Sequence, residues 1–220
     1  MVVEIDYQRG AEPYTGSTVA FGDTWTVFKT NAAKLFEGTG KTVEVPTTLE
    51  AMEAFDDVSG DQFTSEAILA IADRHRGTQT GGDVIGYYVV WLDGYFERDG
   101  ARDTQVLGVS IGRTGVIAMF KPVIESSALP LVPGVSRAVE QAVLVHEFGH
   151  AIGLVANGLP LASAHHDEPH GAHCTNDQCI MYWAIEGVAA ARDFAQKRIT
   201  RSDVVLFGDE CLADVAAARR

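Results

Sequence analysis

Basic residues are scarce in this chain. Its 220 residues include 17 lysines and arginines against 30 aspartates and glutamates, for a formal net charge of -13. No basic stripe is present to track a phosphate backbone, so nucleic acid is not an expected partner. Long apolar runs are also missing. The longest, VIGYYVVWL (84–92), is far below the ~20 residues a membrane helix needs, so no membrane-spanning segment is expected. The N-terminal MVVEIDY has no basic stretch, apolar stretch or small-residue cleavage site of an export signal. A cytoplasmic location follows if Met1 is the native start, and a secreted one if a signal once preceded it. Cysteine is limited to Cys174, Cys179 and Cys211, an odd number that neither demands nor excludes a disulfide. No internal repeats occur, and the Gly-rich stretch 77–83 is too short to mark a domain boundary.

What is present is a hydrophobic fraction of 46%, enough for one well-filled core in a chain of this length. MVVEIDY reads as an opening strand. Asp23 then caps a helix in which Trp25, Phe28, Ala32 and Leu35 recur at helical spacing before Gly38 ends it. KTVEVP (41–46) reads as a second short strand, and Ser65 as the start of a helix running through Ile68, Leu69 and Ala72 to Gly77. The β-branched and aromatic content of 84–92 predicts a buried strand. QVLGVSI and GVIAMF, separated by Gly112, Arg113 and Thr114, predict a hairpin. After the turn-rich ESSALPLVPG, Ser136 is the expected N-cap of a long helix and Gly153 its left-handed C-cap. A polar loop (157–179), the short apolar CIMYW and one or two helices complete the chain. Strands interleaved with helices, then a loop-rich tail, give an α+β (mixed α/β) fold. We expect one domain over 1–220, with an N-terminal lobe (1–154) and a C-terminal subdomain (155–220).

HEFGHAIGL (146–154) interrupts an apolar helix with two histidines and a glutamate. Residues four apart project from one face of a helix, so His146 and His150 can share one ion, with Glu147 beside them. In a catalytic site zinc takes three protein ligands and leaves a fourth position for water, whose proton an adjoining carboxylate can accept. That is equipment for hydrolysing peptide bonds. The alternative reading of the same residues is a pair of hydrogen-bonded core histidines with Glu147 facing solvent. A further alternative is a non-catalytic zinc-binding module whose coordination positions are all filled by His and Cys.

HEFGHAIGL resembles the start of the metzincin signature H-E-x-x-H-x-x-G-x-x-H, and HCTNDQCIM (173–181) resembles the archaemetzincin element in which the third histidine precedes a cysteine. The resemblance implies a zincin fold: a twisted mixed sheet with backing helices, an active-site helix and a small loop-rich C-terminal subdomain. It also implies one catalytic Zn2+ and a peptide or protein substrate laid along an edge strand, for which residues 105–120 are the nominated segment. Where metzincins place the third histidine this chain has Ala156, followed by the inserted loop NGLPLASAHHDEPHGA. The third ligand is then one of His165, His166, His170 and His173, with Asp167 as an outside choice. His173 is preferred because it alone has the cysteine neighbour of the archaemetzincin pattern. The same resemblance makes Met181 the Met-turn residue beneath the histidines. Tyr182 is placed near the site as an oxyanion donor, and Trp183 in the core. Archaemetzincins hold a second, structural zinc with four cysteines, of which only Cys174 and Cys179 have counterparts here. A disulfide between those two, or free thiols, is therefore expected in preference to a second zinc. The inserted loop is expected to cover the cleft, favouring small or flexible peptides.

Overall fold

The computed structural model describes residues 1–18, 22–198 and 204–218. Its centre is a five-stranded sheet. Strand β1 (Val2–Gln8) opens the chain, and a two-residue ladder of β2 (Ser17–Thr18) and β3 (Gly22–Asp23) leads into helix α1 (Thr24–Leu35). Strands β4 (Glu53–Phe55) and β5 (Gln62–Phe63), helix α2 (Ser65–His75), and strands β6 (Gly86–Leu92), β7 (Tyr95–Arg98), β8 (Ala101–Asp103), β9 (Gly108–Ser110) and β10 (Val116–Phe120) follow. The sheet order is β4-β1-β6-β10-β9, with β9 antiparallel at one edge and the other four strands parallel. All seven residues of β6 are buried, as its unbroken apolar sequence requires of a central strand.

Helices α3 (Lys121–Ser126), α4 (Val135–Ile152), α5 (Val188–Arg198) and α6 (Asp209–Ala217) complete the chain. Side chains alternate across the pleat of β6, and its Tyr87 and Trp91 face α4 and α1. Phe148 meets Tyr87 edge-on at 4.9 Å, and Trp25 of α1 lies 6.0 Å from Trp91. Phe28 and Phe148 tie the two helices together at 5.2 Å. Each such fully buried side chain stabilises the fold by roughly 1.5–3 kcal/mol, so α4 is anchored on its apolar face. No described helix is long and apolar enough to cross a membrane.

The expected caps at Asp23 and Gly153 are present: Asp23 Oδ1 accepts the Thr26 amide at 3.2 Å, and Gly153 has φ of 93°. Helix α2 opens at Ser65 as expected, and the Thr64 hydroxyl before it accepts the Ala67 amide. Three expectations need correction. Residues 41–46 do not form a strand; Glu44 alone bridges Val2, and Glu53–Phe55 takes the place beside β1. Pro46 has no N–H with which to extend a ladder. Helix α4 starts after left-handed Gly134, and Ser136 instead directs its hydroxyl to Tyr14. The turn-rich segment after β10 opens with helix α3, which carries Pro122 in its first turn, where a missing N–H does no harm.

Candidate metal centre

The last two turns of α4 carry His146, Glu147 and His150, and Gly153 then breaks the helix. The chain leaves through Val155 and Ala156, both left-handed at φ of 52° and 61°. Such backbone costs a non-glycine residue about 1–2 kcal/mol. It turns Ala156 outward to solvent, so the position where metzincins carry the third histidine holds no ligand here. The inserted loop returns at His173, and the next residue, Cys174, donates its amide to the Met181 carbonyl at 2.7 Å. Met181 is fully buried against α4, and a Cβ on Gly149 would collide with its sulfur. Only glycine at 149 lets the methionine lie there.

His146, His150, His173 and Glu186 bring one donor atom each to within 4.8 Å of one another. The Nε2 atoms of His146 and His150 are 3.1 Å apart, close to the roughly 3.3 Å of two nitrogens on one tetrahedral zinc. Outer partners set the tautomers. His146 Nδ1 donates to the Ile180 carbonyl at 2.7 Å and His173 Nδ1 to the His170 carbonyl at 2.6 Å, which leaves each Nε2 lone pair aimed into the cluster. Burial, then the neighbouring His173, pushes His146 down to about 4. His150 is also held well below its usual value by burial and by His146. Two neutral imidazoles at neutral pH are what a cation needs. His173 behaves differently: burial lowers its pKa, but Glu186 and the His170 carbonyl raise it by more.

Glu147 is buried beside this cluster, and burial, with a smaller push from Glu186, raises its pKa to about 8. The Ser110 backbone of β9, beside it, opposes that rise. Both groups line a cleft of about 460 Å³ whose walls include Phe96, Gln105, Val109, His150 and Glu186. Edge strand β9 therefore runs beside the cluster, within the segment nominated for substrate.

The remaining histidines go elsewhere. His166 Nε2 meets the Gly171 carbonyl, and exposed His170 pairs with Asp167 and stacks on Trp183 at 4.1 Å. Trp183 is thus partly exposed instead of lying in the core. Tyr182 lines a separate cavity beside α5 with Asp177 and Phe194 and is not among the residues lining the cleft. Glu186 was not singled out in the sequence; it belongs to no motif and arrives through the turn Trp183–Glu186.

His165 joins the cysteines. Its Nδ1 lies 3.4 Å from Cys174 Sγ and 4.0 Å from Cys211 Sγ, and Cys179 Sγ lies 3.6 Å from Cys211 Sγ. All three cysteines are free and fully buried, so of the two expected states for Cys174 and Cys179 the structure has free thiols and not the disulfide. Backbone amides of Asn176, Met181 and Gly208 donate to the Cys174 and Cys179 sulfurs at 3.1–3.4 Å. Such donors stabilise thiolates. Hydrogen bonds from Cys179 and Cys211 hold the Cys174 thiol far below its usual range. His165 Nε2 donates to buried Asp214 at 2.9 Å, so the Nδ1 lone pair faces the sulfurs. His165, Cys174 and Cys211 bring one donor atom each to within 4.8 Å of one another, with Cys179 beside Cys211 but outside that group and a carboxylate behind the imidazole, so three of the donors are grouped as a closed zinc site needs.

This fold is similar to solved structures of zincins. The crystal structure of archaemetzincin from Methanopyrus kandleri matches over 100% of this chain and 96% of its own, with a TM-score of 0.54 and 14% identity. That of a zinc-dependent peptidase from Methanocorpusculum labreanum matches over 97% and 99%, with a TM-score of 0.51 and 14% identity. No family model and no curated protein sequence matches the chain. The fold is thus zincin-like, and within that class its likeness is to the archaemetzincin architecture.

Proposed function

We propose that the protein is a zinc-dependent metallopeptidase of metzincin type, in which His146, His150 and His173 hold the ion and Glu147 is the catalytic base. The observation that carries this reading is the convergence of three imidazole nitrogens beside a buried carboxylate, at the wall of an open cleft. When bound, zinc supplies Lewis acidity toward a scissile carbonyl and acidifies a water at neutral pH. Glu147 accepts that water's proton on a carboxylate oxygen and returns it to the nitrogen of the leaving amine. Its elevated pKa suits a group that must both take and give a proton near neutrality. Strand β9, with one edge unpaired among the described residues, offers backbone groups to an extended peptide, giving affinity with little side-chain preference. Met181 is the Met-turn residue, an apolar floor that cannot compete for the ion.

A second, structural ion belongs in the same proposal, against the expectation of a single one: His165, Cys174, Cys179 and Cys211 fill four positions and leave none for water. Contacts of α5 with α4 and of α6 with α1 support one domain over 1–220. A non-catalytic metal module is the competing reading, and one observation favours it: Glu186 gives the first cluster a fourth donor. Zinc content and peptide hydrolysis of the wild type and Glu147→Ala separate the two. A peptidase retains its zinc and loses hydrolysis in the variant; equal cleavage by both would refute the mechanism.

A further inference from the structure

We propose that Glu186 is a displaceable fourth ligand of the first metal centre, closing it at rest and yielding its place when a substrate enters. The inference rests on the reading of His146, His150 and His173 as metal ligands. Its starting point is a contact that an ion pair explains poorly. Glu186 Oε1 lies 3.2 Å from His173 Nε2, yet that buried nitrogen makes no hydrogen bond. The His173 ring already donates through Nδ1 to the His170 carbonyl, so in the neutral ring, the form that can bind a cation, Nε2 carries the lone pair. A lone pair and a carboxylate repel each other unless a proton or a cation lies between them. Glu147, a buried carboxylate, lines the same cleft as the partly exposed Glu186, so two groups of like charge face one cluster. One cation placed among the three imidazoles removes both conflicts, and carboxylate oxygen is an ordinary zinc ligand.

Displacement follows from where Glu186 sits. It ends the single turn Trp183–Glu186, is followed by Gly187, and has a side chain 58% exposed on the cleft. The three histidines are held by a helix or by backbone carbonyls; the carboxylate is held by neither. Arg98 of β7 lines the same cleft, where it pairs with Asp103 at 3.3 Å. A carboxylate on the ion lowers the ion's net charge and so weakens its pull on water, while its release restores that pull. The arrangement also reconciles a fourth donor with a catalytic role, because only a permanently filled position prevents turnover.

The test compares the wild type, Glu186→Gln and Glu186→Ala as full chains, with melting temperatures confirming that the exposed substitutions leave the fold intact. Zinc affinity is read by chelator competition, and coordination by cadmium NMR, which separates a nitrogen and oxygen site from a thiolate-rich one. Loss of the ligand weakens zinc at the first site by at least about 10-fold and moves the nitrogen and oxygen resonance alone. Added acetate restores that resonance in Glu186→Ala and leaves the wild type unchanged. At saturating zinc the alanine variant hydrolyses peptide faster than the wild type, because no ligand has to leave before substrate enters. Unchanged affinity and resonance in both variants would overturn the proposal, as would a raised KM with unchanged coordination, the mark of a substrate contact. A wild type that binds zinc through Glu186 but never cleaves peptide sinks the peptidase reading and leaves this ligation standing.

Discussion

Two clusters of side chains could each hold a metal ion, and they differ in what surrounds the donors. The first, His146, His150 and His173 with Glu186, opens onto the cleft and keeps a partly exposed carboxylate at its mouth. The second, His165 with three cysteines, is sealed: all its sulfurs are fully buried, amides cap two of them, and Asp214 backs the imidazole. Imidazole serves both. Access and the neighbouring groups separate a site able to exchange a ligand from one able only to hold the chain. Met181 joins them, because its side chain lies against α4 and its backbone bonds to Cys174 and Cys179.

The largest effect should come from the group that only the open cluster possesses. Glu147→Gln is expected to lower peptide hydrolysis by about 10²–10⁴-fold, the usual contribution of a general base, with both zinc equivalents still bound. Metal analysis beside a peptide assay checks this, and loss of zinc in the variant would make Glu147 a structural residue. Next in size is the sealed cluster. Cys211→Ser should lose one zinc equivalent and about 3 kcal/mol of stability, near 10 °C in a protein of this size. If thermal melting and zinc content both match the wild type, the second site does not exist.

The open cluster was the more legible of the two because most of it is local. His146 and His150 share one helical face with Glu147 beside them, so spacing brought out these three, while His173 came from the archaemetzincin resemblance through its cysteine neighbour. Glu186 lies 13 residues beyond His173 in no motif, and only the turn after Met181 carries it back to the metal centre. The sealed cluster joins His165 to Cys211 across 46 residues, a pairing that no local pattern contains. The fold divides in the same way. Asp23, Gly153, β6 and the β9–β10 hairpin carried strong local signals. The β7–β8 hairpin did not, although its Asp99-Gly100 turn, with both residues at positive φ, is a recognised hairpin signature. Its strands, YFER and ARD, are largely exposed and lack the apolar alternation that marks a half-buried strand.

Met181 offers a way to disturb both clusters from one position. Gly149→Ala places a methyl group against its sulfur and against Phe207, and overpacking of this kind costs roughly 1–3 kcal/mol. The shift should be felt at His146 and His150 on the same helix, lowering hydrolysis by roughly 10-fold or more through misplaced ligands. It should also loosen the cysteine site, because the Met181 backbone bonds two of its cysteines. Chelator titration then shows zinc leaving both sites more readily than in the wild type. Loss confined to the first site would mean that the clusters are mechanically separate.

The smallest effect should follow from the histidines that belong to neither cluster. His170 sits on Trp183 and Asp167, and His166 on the Gly171 carbonyl, both at the surface of the inserted loop. Exposed pairs of this sort contribute about 0–1 kcal/mol. His166→Ala and His170→Ala should therefore keep both zinc equivalents and change the melting temperature by no more than about 3 °C. The two variants differ in what else they can reveal. The His170 carbonyl, which accepts from His173 Nδ1, survives the substitution, so the third ligand keeps its tautomer even when its neighbour's ring is gone. A loss of first-site zinc in His170→Ala would show that the ring, not the carbonyl, orients His173. That result would move part of the site's support into the loop.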